Sequence, residues 1–163
     1  QADLNATQKH EPVDIKDVLD EVVNEFGPQA RGKEQELEFT PPVATVQVRG
    51  DALHLRQAFR NLLGNAIKYT PRGGLIQIQP VIEAENLLIH FKDNGYGIPA
   101  TDLPFIFNRF YRVRTGKASE VEGNGLGLAI VKAITVEHGG TVNVESEVGK
   151  GTCFSVLLPI NKN

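Results

Sequence analysis

Gly123-Asn124-Gly125-Leu126-Gly127-Leu128 runs without a break into Ala129-Ile130-Val131-Lys132-Ala133-Ile134, a glycine-rich loop opening onto an apolar helix. Glycines at alternate positions remove side chains where the helix begins, and a helix amino end gathers unpaired N–H donors and the positive end of the dipole. The junction suits a phosphate, although on this stretch alone a flexible loop capping an ordinary buried helix is an equal alternative. The spacing is G-x-G-x-G rather than G-x-G-x-x-G, a loop rather than a strand precedes it, and G-x-x-x-x-G-K-[ST] is absent from the chain. Dinucleotide and P-loop fingerprints are unsupported, so the rest of the chain decides what the loop does.

A chain of 163 residues, 40% of them hydrophobic, fits one domain with a sizeable core. The net charge of −3, with basic residues scattered, argues against nucleic acid as a partner. Arg109, Arg112 and Arg114 form a local basic cluster suited to a small anion. A single cysteine, Cys153, excludes an internal disulfide and a multi-cysteine metal site, and its apolar context reads as core. No run approaches the roughly 18 apolar residues of a membrane span and no signal peptide opens the chain. The domain is therefore expected to be cytoplasmic, monomeric in isolation and free of direct membrane contact, whatever the attachment of its parent. Beginning at Gln1 and containing no methionine, it is expected to be a piece of a longer polypeptide.

Residues 1–12 are polar and aperiodic, as a linker or the end of an upstream helix would be, which puts the domain boundary near Val13. Asp14 caps a helix in which Ile15, Val18, Leu19, Val22, Val23 and Phe26 recur at helical spacing up to Gly27-Pro28 or soon after. Two small strands follow around Leu37 to Phe39 and Val43 to Val48. Asp51 caps the next helix, Ala52 to Tyr69. At about 100° per residue, Asn61, Asn65 and Lys68 fall within about 80° of Gln57, while Leu55, Phe59, Leu62, Leu63 and Ala66 share the opposite side. One face is core; the other is a stripe of amides ending in a cation, where asparagine is an odd choice because it is a poor helix former.

Leu75 to Ile82 and Leu87 to Lys92 form an antiparallel hairpin, with Ile76, Ile78 and Ile82 on one side, ending in Asp93-Asn94-Gly95-Tyr96-Gly97-Ile98-Pro99. Residues from about 99 to 124 are irregular, a length typical of lids or disordered segments. Leu126 to Val136 is apolar nearly all round and reads as a buried helix closed by His138-Gly139-Gly140; Thr141 to Ser146 and Thr152 to Leu158 make a second hairpin. The expected architecture is α+β, a mixed, mostly antiparallel sheet covered on one face by three main helices. His54, His90 and His138 lack metal-ligand spacing and read as structural; His10 lies in the polar tail.

In order along the chain, Asn61 to Thr70 (NLLGNAIKYT) resembles the asparagine box of sensor histidine kinases and Asp93 to Gly97 (DNGYG) their first glycine box. Phe105 to Arg112 (FIFNRFYR) resembles the phenylalanine box and Gly123 to Leu128 (GNGLGL) the second glycine box, with Gly149-Lys150-Gly151-Thr152 also matching. The resemblance covers residues 13–163 as a histidine kinase catalytic domain. It implies the two-layer Bergerat-type ATP-binding fold shared with gyrase, Hsp90 and MutL, a long ATP lid at about 96–124, and Mg-ATP as ligand.

On that resemblance, Asp93 accepts a hydrogen bond from the exocyclic amine of adenine while Gly95 and Gly97 let backbone approach the ring. Asn65 offers its carbonyl oxygen to Mg²⁺ with support from Asn61, and Lys68 neutralises phosphate charge. Tyr69, Ile98 and Thr152 belong to the adenine and ribose end, and Gly123, Gly125, Leu126, Gly127 and Leu128 lead the triphosphate to the helix. Arg112 is the first candidate for a γ-phosphate contact, ahead of Arg109 and Lys117. Phe107 and Phe110 anchor the lid or the face that docks the substrate domain.

Two departures from the family pattern stand out. Gly64 occupies, on the amide face, a place where many sensor kinases carry a polar residue; and nothing in the chain resembles the phosphoacceptor histidine box. The implied function is transfer of the γ-phosphoryl of ATP to a histidine on a separate dimerisation domain of the same parent, with a response regulator downstream. The alternatives are an ATP-hydrolysing gyrase-like or Hsp90-like module, which uses a glutamate where Asn61 stands, and a non-catalytic ATP-binding interaction module.

Overall fold

The structure, a computed structural model, describes residues 10–160 except 43, 115, 122 and 124. Its elements are β1 (Glu11–Asp14), α1 (Ile15–Gly32), β2 (Glu36–Phe39), β3 (Gln47–Gly50), α2 (Ala52–Tyr69), β4 (Leu75–Glu83), β5 (Asn86–Asp93), α3 (Gly127–Glu137), β6 (Thr141–Glu147) and β7 (Gly151–Pro159). Single 3-10 turns at Leu103–Phe105 and Lys117–Glu120 break the long segment before α3. Five strands form one sheet in the order β2-β4-β5-β7-β6, parallel only between β2 and β4. This is the expected mixed, mostly antiparallel sheet beneath three helices.

Helix starts follow the sequence chemistry. Asp14 accepts from the Lys16 N–H, and Asp51 Oδ1 accepts from the Leu53 and His54 N–H groups, each satisfying donors that an α-helix leaves unpaired. The core stripe of α2 is fully buried, with the Phe59 ring 5.8 Å from Phe91 on central strand β5. Such a ring contributes about 3–5 kcal/mol when measured by truncation to alanine. Opposite it, the amide stripe is left facing α3 and the lid segment.

The sequence reading needs correction in places. Glu11 and Pro12, expected in a linker, already pair with Gly50 and Arg49 in β1; residues 1–9 lie outside the described ones. Helix α1 runs through Gly27 and Pro28 to Gly32, because Ala30 beyond the proline is buried and anchors another turn. Ile82 is 48% exposed: β2 covers β4 only from Leu75 to Ile78, so the far end of β4 is paired on its β5 edge alone. Helix α3 is not buried all round either: Val131 and Ile134 face inward, but Val136 is 61% exposed because only one side of the helix meets its neighbours. No helix among the described residues is long and apolar enough to cross a membrane.

Candidate functional site

A cavity of about 560 Å³ opens between α1, α2, the carboxyl end of β5, the lid segment and the amino end of α3. Its size is that of a small-molecule site. Of the residues singled out in the sequence, Asn61, Asn65, Lys68, Tyr69, Asp93, Ile98, Arg112, Gly123, Gly125, Leu126, Gly127, Leu128 and Thr152 all line it. The topology explains the convergence. Asp93 ends the central strand between Ile76 and Thr152, α2 lies across that strand, and α3 begins beside Asn61.

Asp93 is 7% exposed, and burial pushes its carboxyl up to about 6, against the opposing pull of backbone bonds from Gly95 and Thr152. The Gly95 N–H donates to Asp93 Oδ1 at 2.8 Å. An acceptor held this way, at the closed end of a cavity, is costly to leave unmatched and suits a ligand that brings a donor. Behind it lies a polar knot absent from the sequence reading. The Ile98 N–H donates to Ser146 Oγ at 2.7 Å, Ser146 Oγ donates to the Gly151 carbonyl at 2.9 Å, and the Thr152 hydroxyl sits 2.8 Å from Ser146 Oγ. Ser146 carries no sequence signal, for it is one polar residue in an alternating strand.

Gly95 and Gly97 do not line the cavity. A Cβ on Gly95 would lie 2.2 Å from the Tyr69 carbonyl oxygen, and one on Gly97, at φ +78°, 2.2 Å from that of Glu147. Both glycines thus admit a neighbouring carbonyl. They close the turn that fixes Asp93.

On the opposite wall, Asn61 Nδ2 donates to the Gly127 carbonyl at 3.2 Å, tying α2 to the first residue of α3. Asn65 and Lys68 have no hydrogen-bond or ion-pair partner among the described residues. The Leu126 side chain makes no cap bond to α3, and the amino end of the helix lies at the cavity, where Gly125 to Leu128 line the wall. Asn124, the polar member of this loop, lies outside the described residues.

The lid segment is stitched rather than loose. Tyr111 donates from its hydroxyl to buried Asp102, Phe107 packs edge-on against Phe154 at 6.0 Å, and the Phe110 N–H donates to the Gly125 carbonyl at 2.7 Å. Phe107 is therefore an anchor, whereas Phe110 is 65% exposed and adopts φ +68°. Arg112 Nη2 donates to the Val121 carbonyl at 2.6 Å at the cavity rim. Arg109 lies over the Phe110 ring and Lys117 is exposed; neither lines the cavity.

Phe26, Gln29, Arg60, Ile106, Tyr111 and Val113 also line the cavity, beyond the sequence reading. Phe26 is the informative omission. Its ring carbons lie 3.7 Å from where a Gly64 Cβ would stand, so the residue missing at 64 is answered by an aromatic from α1.

Residues 50–162 match the family described as histidine kinase-, DNA gyrase B- and HSP90-like ATPase. The sensor protein RprX of Bacteroides fragilis is 38% identical over 97% of this chain, which spans 31% of RprX. Among solved structures, the mycobacterial sensor histidine kinase MprB is 34% identical, with a TM-score of 0.77 over 93% of this chain and 98% of that one. The ATP binding domain of PrrB from Mycobacterium tuberculosis is 28% identical, with a TM-score of 0.73 over 94% and 99%. The chain therefore belongs to the histidine kinase-, DNA gyrase B- and HSP90-like ATPases, as a catalytic domain of the sensor histidine kinase type. It spans about a third of the length of the curated relatives it matches.

Proposed function

We propose that the domain binds Mg-ATP in this cavity and passes the γ-phosphoryl group to a histidine on a separate dimerisation domain of the same parent, for relay to a response regulator. The observation that carries this reading is the pairing of a buried acceptor, Asp93, with an amide and cation wall across one cavity. Asp93 accepts from the exocyclic amine of adenine, with Ile98, Tyr69 and Thr152 around the base and ribose. Lys68 and the amino end of α3 face the phosphates, and Arg112 meets the terminal one as charge shifts during transfer.

The donor set suits magnesium, which takes few protein oxygens together with phosphate oxygens. Among the described residues the Asn65 amide is uncommitted, and Asn61 spends its nitrogen on the Gly127 carbonyl while its oxygen accepts no hydrogen bond. Bound there, Mg²⁺ would neutralise charge between the phosphates; these residues hold and orient.

Among the lining residues Asp93 is the sole carboxylate, and it is engaged at the adenine end. Among the described residues no second carboxylate lines the phosphate wall to activate water, an arrangement suited to transfer. Phe105 and Phe110, 46% and 65% exposed on the lid, offer an apolar contact for the acceptor domain. The test is phosphorylation of an added acceptor domain by wild type and Asn65→Ala. A fall of about 100-fold or more is expected for a metal-positioning ligand. Unchanged transfer by the variant, or rapid ATP hydrolysis by the wild type without acceptor, would reject the reading.

A further inference from the structure

We propose a second metal site, far from the nucleotide cavity, in which Asp51 Oδ2, His54 Nδ1 and Glu137 Oε1 hold one divalent transition metal of the zinc class. His54 Nδ1 lies 2.9 Å from Glu137 Oε1 and 3.8 Å from Asp51 Oδ2, and the three residues each offer a ligand atom within 4.8 Å of the others. A tetrahedral zinc ion, with bonds of about 2.0–2.1 Å, separates its ligands by about 3.3–3.4 Å, so small side-chain adjustments bring this triad to bonding geometry.

The surrounding bonds decide which atoms are available. Asp51 Oδ1 is occupied as the cap of α2, which fixes the carboxylate and leaves Oδ2. A rival triad of His10, Glu137 and His138 is ruled out by the bonding of His138. The Nε2 of His138 accepts the Asp51 N–H at 3.0 Å and its Nδ1 donates to the Ile134 carbonyl at 2.8 Å, so both ring nitrogens are spent. His10 stacks on His138, with ring centroids 5.3 Å apart, and reaches Glu137 Oε2 at 3.3 Å. It serves as the outer partner that orients a ligating carboxylate.

An independent feature points to a cation here. Glu137 ends α3, where the helix dipole disfavours a negative side chain, and among the described residues neither Asp51 nor Glu137 pairs with a lysine or arginine. Among the described residues the free oxygens of these two carboxylates face histidines alone, and a metal would supply the permanent positive charge. Mixed nitrogen and oxygen donors favour zinc-class ions over magnesium or calcium. The site would clasp the start of α2, the end of α3 and the chain entering β1. No sequence spacing reveals it, because His54 and Glu137 are 83 residues apart.

The experiment is calorimetric titration of the domain with Zn²⁺ in excess Mg²⁺, with Co²⁺ absorption as a report on coordination. One ion per chain is expected, with His54→Ala and Glu137→Gln each weakening binding more than about 100-fold and His10→Ala by about 10- to 100-fold. Circular dichroism checks that each variant is folded; all three positions are partly exposed. His90→Ala serves as a decoy, since His90 lies beside Ser155 and Cys153 on the open face of the sheet. No binding by the wild type, binding unaffected by His54→Ala and Glu137→Gln, or binding lost only in His90→Ala would overturn the proposal. Loss of nucleotide binding in Asp93→Asn with Zn²⁺ binding intact is the expected independence of the two sites.

Discussion

Asp93→Asn should move stability and nucleotide binding in opposite directions. Burial raises the Asp93 carboxyl from its ordinary 3.8 to about 6 in the nucleotide-free fold, which at 1.36 kcal/mol per pH unit makes the charged form about 3 kcal/mol costly. The folded state holds this proton more tightly than the unfolded one does. Its contribution to stability is therefore fully present below pH 3.8 and lost as the pH climbs through about 6. Asparagine carries no charge but turns an NH₂ group toward a site furnished with N–H donors, losing about 1 kcal/mol of that relief. The expected net gain at pH 7.5 is about 1–2 kcal/mol, a rise in Tm of about 2–8 °C, shrinking away toward pH 4. Affinity for a non-hydrolysable ATP analogue should fall by about 100-fold or more, because the amine of adenine loses an ionised acceptor and meets a donor. Thermal melts of both proteins from pH 4 to 7.5, with calorimetry on the same samples, read the two effects separately. A variant less stable than wild type at pH 7.5 would refute the burial argument, and equal nucleotide affinity would refute the adenine assignment.

Other perturbations separate lid from core. Phe59→Ala removes a fully buried ring from the interface of α2 and the sheet and should cost about 3–5 kcal/mol, lowering Tm by about 10 °C in a denaturation scan. Gly125→Ala would put a Cβ 2.6 Å from the Phe110 backbone at φ +74°, displacing the lid stem. Nucleotide affinity should drop in calorimetry while Tm shifts by only a few degrees, and an unchanged affinity would separate the lid stem from binding. Tyr111→Phe leaves buried Asp102 without its hydroxyl donor, a local loss of about 1–3 kcal/mol, so proteolysis within residues 99–121 should accelerate before the core unfolds.

Where local chemistry fixed the outcome, the sequence was enough: Asp51 as a cap, the buried stripe of α2 and the convergence of Asp93 with Asn61, Asn65 and Lys68 were all legible. The misreadings share a cause, which is dependence on a neighbour distant in sequence. Strand β1 buries little beyond Val13 and is defined by its pairing with β3. Nothing in the chain order reveals the Tyr69 and Glu147 carbonyls that lie beside Gly95 and Gly97. Phe26 read as one more core residue of α1, and only the fold shows it filling the place that Gly64 leaves open. The Asp51, His54 and Glu137 cluster is of the same kind, legible only once two helix ends meet.

The bond from Arg112 to the Val121 carbonyl closes a loop through residues 113–120 before any ligand arrives. Closing a segment of this length from a free state costs conformational entropy that grows slowly with its length. Here that loss is taken at folding, so a terminal phosphate meeting Arg112 would encounter a guanidinium already confined, on a segment already pinned at both ends. The arginine acts as a staple first, and whatever binds it inherits the order it has imposed.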